Sequence, residues 1–185
     1  MRHIKIIKPI SLIILLFLIT SCSNNSAMKP EDFKNKEPRL IIEEYLSGNV
    51  KAWGVLQNRS GKVTRQFSAD LNGTWDGKQL ILKEKFNWDD GEVQDREWKI
   101  NKIDENNYEG TAGDVVGKAK GYSYGPAFKF EYVLLVPVKG KEIKITFDDW
   151  IFKQDDRVAI NRATMTKFGF KAVSYTHLRA HETTN

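Results

Sequence analysis

Three histidines, one cysteine and a few charges set within apolar patterns are the residues of this 185-residue chain that could do chemistry. His177 and His181 stand four apart near the end, and on a helix that spacing would put two imidazoles on one face, as in a zinc site. His3 lies in the first residues, and the long stretch between holds no histidine. Cys22 is the only cysteine. A domain built from that stretch has no Cys–His pair and no Ser-His-Asp triad. It also lacks the nitrogen and sulfur ligands of the usual zinc sites. Neither a metal nor a cofactor is expected, and with a lone cysteine there is no disulfide framework.

Carboxylates, Arg, Lys, Tyr and Trp remain. Asp89-Asp90-Gly91 reads as a turn before it reads as a metal loop. Asp148-Asp149-Trp150 ends an alternating strand with two acids and an aromatic, and Asp114 stands beside Val115-Val116 as a turn residue or a polar group inside a barrel. Arg96 and Arg162 lie mid-strand, and an arginine pointing into a barrel can take a carboxylate head group with two hydrogen bonds. Outward surface arginines or structural ion pairs are the plainer alternative. Trp53, Trp98 and Trp150 are candidates to line an apolar cavity or simply to fill a core.

Those side chains need a scaffold, and the pattern supplies strands. A short helix is expected over "EPRLIIEEYLSG". After it the apolar period becomes two. "VKAWGVLQ" and "VTRQFSADL" flank the turn "NRSGK", and "QLILKEKFNW" and "VQDREWKI" flank "DDGE". "AFKFEYVLLVPV" alternates Phe128, Phe130, Tyr132 and Leu134 against Lys129 and Glu131. "EIKITFDDWIF" alternates in the same way. The result is a mainly β chain of about eight to ten short antiparallel strands. A meander with one apolar face closes on itself to bury that face and remove its edges. The expected fold is a lipocalin-like barrel behind one short helix, with a β-sandwich as the alternative. The glycines of "GTAGDVVGKAKGYSYG" read as bends and bulges. The segment lacks the Lys-Ser/Thr ending of a phosphate loop.

In front of this domain, "MRHIKIIK" is basic and "LIILLFLI" is apolar but short for a membrane span. That order is the order of a secretory signal. Ile19-Thr20-Ser21-Cys22 resembles the lipobox of bacterial lipoproteins, which implies cleavage before Cys22 and acylation (palmitate among the acyl groups) of that residue. Ser23 favours the outer over the inner membrane in that resemblance. Residues 1–21 are then the signal peptide, 22–37 a polar tether and 38–172 one domain. Loss of Arg2, Lys5 and Lys8 leaves 26 basic against 24 acidic residues, a net +2 from the +5 of the whole chain. So small and dispersed an excess gives no footprint for nucleic acid.

Several stretches together resemble a family of proteobacterial lipoproteins catalogued as domain of unknown function 3833. They are "AWGVLQNRSGKVTRQF", "GTWDG", "DDG", "REWKI", "YEGTAGDVVGKAKG", "FDDWIF" and "NRATMTKFG". The resemblance covers about residues 40 to 170 and implies no activity. Its motifs contain Trp53, Arg96, Trp98, Asp114, Asp149, Trp150, Asn161 and Arg162, without giving them roles. "VSYTHLRAHET", residues 173–183, resembles the conceptual translation of a transposase sequencing adapter. Residues 173–185 are therefore expected to be foreign to the gene, which removes His177 and His181 from the argument. An unpaired sheet edge is expected near residues 168–171.

The expectation for function is an outer-membrane lipoprotein facing the periplasm, anchored through Cys22, with a fatty acid or other lipid held in its barrel. Trp53, Arg96, Trp98, Asp114, Asp149, Trp150 and Arg162 are the candidate ligand residues. Binding is preferred to catalysis. The alternatives are a histidine-free enzyme acting on a lipid and a structural envelope protein with a packed barrel. The sequence does not specify an oligomeric state.

Overall fold

The computed structural model describes residues 27–138, 140–167 and, for the backbone, 170–181. The structure has ten strands among the described residues: β1 (Gly48–Asn58), β2 (Val63–Trp75), β3 (Gln79–Trp88), β4 (Val93–Lys102), β5 (Asn107–Thr111), β6 (Ala119–Tyr124), β7 (Ala127–Val138), β8 (Lys141–Lys153), β9 (Val158–Lys167) and β10 (Phe170–His181). Each pairs antiparallel with its neighbours in sequence, and β1 pairs with β10, so the meander closes into a barrel. The turns are those the sequence announces. Gly61 and Gly91 adopt φ of +82° and +86° in "NRSGK" and "DDGE", a conformation that side chains with a Cβ disfavour.

Burial follows the alternation. Val50 and Ala52 of β1, Phe67, Ala69 and Leu71 of β2, and Leu80 and Leu82 of β3 face inward and are almost fully buried. Bulky inward residues, Trp98, Tyr108, Phe128, Phe130, Tyr132 and Phe147, concentrate on β4, β5, β7 and β8, and Phe130 and Phe128 pack over Gly110 and Gly121 of β5 and β6. Across the barrel, β1, β2 and β9 present Ala52, Ala69, Ala159 and Ala163. Large side chains set against small ones fit a narrow barrel.

One end is plugged. The helix expected over "EPRLIIEEYLSG" is a single turn, α1 (Ile42–Tyr45). It is short because the chain before it runs extended across the barrel end. Leu40 donates its N–H to Gly125 O (2.8 Å) and its carbonyl accepts from Ser123 Oγ (2.9 Å). Leu40, Ile42, Tyr45 and Leu46 all bury into the opening, and one turn spans it. Part of the expected tether is also held. A 3-10 turn, Pro30–Phe33, rests the Phe33 ring 6.0 Å from Trp150 and 5.5 Å from Phe152.

Of the stretch where a free edge is expected, residues 168 and 169 lie outside the described residues, Phe170 and Lys171 pair with β9, and pairing with β1 begins at Val173. β10 pairs with β9 and β1 over most of its length. Ladder bonds are main-chain bonds, so a proline-free segment can complete them whatever its side-chain pattern. Signal residues 1–21 and Cys22 lie outside the described residues, as do the side chains of β10. Among the described residues no helix is long and apolar enough to cross a membrane.

Candidate ligand site

Inward alternation along β3 reads Leu80, Leu82, Glu84, Phe86, Trp88, with one acid standing in an apolar row. β4 does the same with Arg96 before Trp98 and Ile100, and β8 with Asp149 between Phe147 and Ile151. The barrel therefore brings Glu84, Arg96 and Asp149 to one interior region. They line a void of about 40 Å³ with Trp98, Phe130 and Tyr132 among its walls. That is room for a water or two.

Arg96 has 14% of its side chain exposed and pairs in a fork with Asp114: Nε donates to both carboxylate oxygens (3.2 and 3.1 Å) and Nη2 to Oδ2 (2.6 Å). Burial pulls its pKa down, but the Glu84 and Asp114 carboxylates outweigh burial and hold it above the ordinary arginine value. Its guanidinium also lies 6.0 Å from the Trp98 ring. Asp149, 7% exposed, accepts from Tyr132 Oη (3.3 Å) and from Asn161 Nδ2. Asn161, fully buried, donates a second bond to Trp150 O (3.0 Å). The buried charges thus have partners, as burial demands.

Away from the plugged end, the interior residues Phe86, Trp88, Val136, Ile145 and Met165 are only partly buried. They form an apolar lining toward an open end. Phe67 packs against Phe86 and Trp88 at 5.4 and 5.1 Å. Arg65 stacks on Trp88 (4.0 Å) and donates to Asp90 (2.7 Å) and Glu92 (2.9 Å) of the β3–β4 turn.

The seven candidates from the sequence divide by strand phase. Arg96, Trp98 and Asp149 point inward, and Asp114 reaches Arg96 from the β5–β6 loop. Trp53, Trp150 and Arg162 stand on the outer face. Trp53 is 49% exposed and borders an outer groove with Val55 and Ile160. Trp150 is buried from outside, under Phe33. Arg162 is exposed on β9, opposite Trp150 in register. These three do not line the interior. Glu84 and Tyr132 were missed, although an acid in phase with Leu82 and Phe86 is itself the signal. Among the described residues no group of three His, Cys, Asp or Glu side chains is placed to hold a metal ion.

Residues 16–178 match the family described as protein of unknown function (DUF3833). No curated protein matches the chain. Among solved structures, an S-type phycobiliprotein lyase from Guillardia theta superposes with a TM-score of 0.56 at 9% identity, over 77% of this chain and 92% of that one. A DUF3598 protein of unknown function from Nostoc punctiforme gives 0.57 at 12% identity, over 80% of this chain and 51% of that one. This chain therefore corresponds to about half of the second protein's length. At such identities the likeness is one of fold.

Proposed function

We propose that this chain, which belongs to the DUF3833 family of proteins of unknown function, is a lipid-anchored binding module that holds an acyl ligand with an acidic head in its barrel. The observation that carries this reading is the barrel's asymmetry. One end is sealed by Leu40, Ile42 and Leu46, while the other keeps aromatic and aliphatic residues part-exposed around its mouth. A container needs a floor and an opening, and apolar walls with a few convergent polar groups are what small-ligand sites share. Arg96 supplies the fork for an acid head. The part-buried Phe86, Trp88, Val136, Ile145 and Met165 offer the surface along which an acyl chain would run. The fold shared with a phycobiliprotein lyase is consistent with a small-molecule ligand. Anchoring at the outer membrane, with the domain in the periplasm, rests on the Ile19–Cys22 pattern.

Tryptophan fluorescence tests it, because Trp88 and Trp98 lie at the mouth and beside Arg96. Fatty acid should perturb emission saturably, and lipid extraction of the purified protein should yield an acid by mass spectrometry. Arg96→Met should weaken binding by roughly 2–5 kcal/mol, the range for truncating one partner of a buried charge pair. Equal binding by the folded variant and wild type removes the arginine from the site.

One observation favours a second reading, catalysis on a lipid. Glu84 and Asp149, both more than nine-tenths buried, line the same void as Arg96, and a buried carboxylate can serve as a general base. Incubation with candidate lipids would then give a product by mass spectrometry that Asp149→Asn abolishes, while ligand without product in the wild type leaves binding alone.

A further inference from the structure

The barrel wall has a notch. β4 pairs with β5 over residues 99–102, and β7 pairs with β6 over residues 127–131. Beyond those points residues 93–98 of β4 and 132–138 of β7 face each other without a strand between them, among the described residues. The β5–β6 loop, residues 112–118, lies in the notch and belongs to the β7 side. Val116 donates its N–H to Val133 O (2.8 Å), Leu135 donates to Asp114 O (2.9 Å), and Val115 bridges Leu134. On the β4 side stands an open cleft of about 690 Å³, with Arg96, Gly113 and Asp114 in its lining. Hydrogen bonds from Arg96 to Asp114 join the loop to β4 there. Arg96 lines the interior void as well as this cleft, so its guanidinium sits in the wall between the two.

We propose that this cleft is a lateral entry site, at which the carboxylate of an acyl amphiphile exchanges with Asp114 for the Arg96 fork. The proposal rests on the binding reading above and names the ligand's chemical class and its route. The exchange is like for like. One carboxylate leaves the guanidinium for water as another arrives, so the charge facing Glu84 does not change. Asp114 keeps 32% of its side chain exposed, so its release needs no rearrangement of the loop's bonds to β7. An alcohol of the same length has no charge with which to displace Asp114, and the site selects acids over neutral amphiphiles.

Gly113 gives a clean probe. A Cβ built there meets nothing within 4 Å, and its φ is not in the left-handed region. Gly113→Phe therefore adds bulk to the cleft without strain. Val63, 42% exposed at the start of β2, gives the matching bulk at the open end as Val63→Phe. The full chain in phospholipid vesicles is mixed with decanoate or decanol, and tryptophan emission is followed in time. Gly113→Phe should slow decanoate uptake with its melting temperature unchanged, and Val63→Phe should not slow it. Asp114→Asn should raise the affinity ratio of decanoate to decanol roughly tenfold, the low end of what a charge-assisted hydrogen bond is worth. Slowing by Val63→Phe rather than Gly113→Phe would place entry at the mouth and overturn the lateral route. An unchanged ratio in Asp114→Asn would overturn the exchange. A wild type that binds neither probe would overturn the binding reading, and this proposal with it.

Discussion

Glu43 shows how a buried charge is settled at the level of one residue. It is 4% exposed in the barrel floor. Lys102 Nζ donates to it at 2.5 Å and Tyr108 Oη at 2.9 Å. Burial alone would raise its pKa, but those hydrogen bonds and the Lys102 charge hold it below the ordinary carboxylate value of 4.5. A carboxylate depressed in the folded state adds stability above its unfolded pKa and loses it as pH falls through the folded one. Glu43 should therefore stabilise fully above about pH 4.5 and contribute less on acidification below it. Lys102 keeps 32% of its side chain in water, so solvent screens part of the attraction. Glu43→Gln should cost roughly 2–3 kcal/mol at pH 7, below the range for breaking a fully buried pair. It should also flatten the acid limb of stability against pH. Urea melts across pH 3–7 measure both, and acid limbs of equal slope in variant and wild type would refute the assignment.

Among the elements, the joint between α1 and β2 is the tightest point of the floor. A Cβ on Gly73 would lie 1.8 Å from Leu46 O and 2.7 Å from its carbonyl carbon. That contact is backbone, which cannot swing aside as a side chain can. Gly73→Ala should therefore destabilise by about 2–3 kcal/mol, in the range of core overpacking. Gly113→Ala, in open space, should stay within about 0.5 kcal/mol. Equal melting temperatures for the two variants would mean that the plug does not press on β2 in solution. The same logic explains why Trp53, Trp150 and Arg162 do not reach the interior. Side chains alternate across a strand, and each of the three is one residue out of phase with Ala52, Ile151 or Asn161. Composition singled them out, whereas phase was the informative signal.

Over the whole molecule, closure of the barrel and the proposed anchor at Cys22 together set the outlook of the site. Pro30–Phe33 docks near the plugged end, where Phe33 O and Lys36 O crowd Gly125 of the β6–β7 turn. Residues 22–27 extend over roughly 18 Å at most. A lipid on Cys22 would thus hold the floor near the membrane and turn the mouth away. Cys22→Ser should leave a protein that no longer fractionates with outer membranes, and normal recovery in that fraction would end the anchor reading. The sequence by itself determined the strands, their turns and the family, and it named Arg96 and Asp149 without deciding which face of the sheet they take. The first three depend on local alternation, on a residue such as Gly61 whose backbone demands are local, or on motif. It left barrel and sandwich both open, because only the pairing of β1 with β10, contacts distant along the chain, distinguishes them. It placed Arg96 and Asp114 in separate motifs 18 residues apart. Their fork exists because β5 and β6 stop short of covering β4 and β7, and the lengths of paired strands are decided by the assembled sheet.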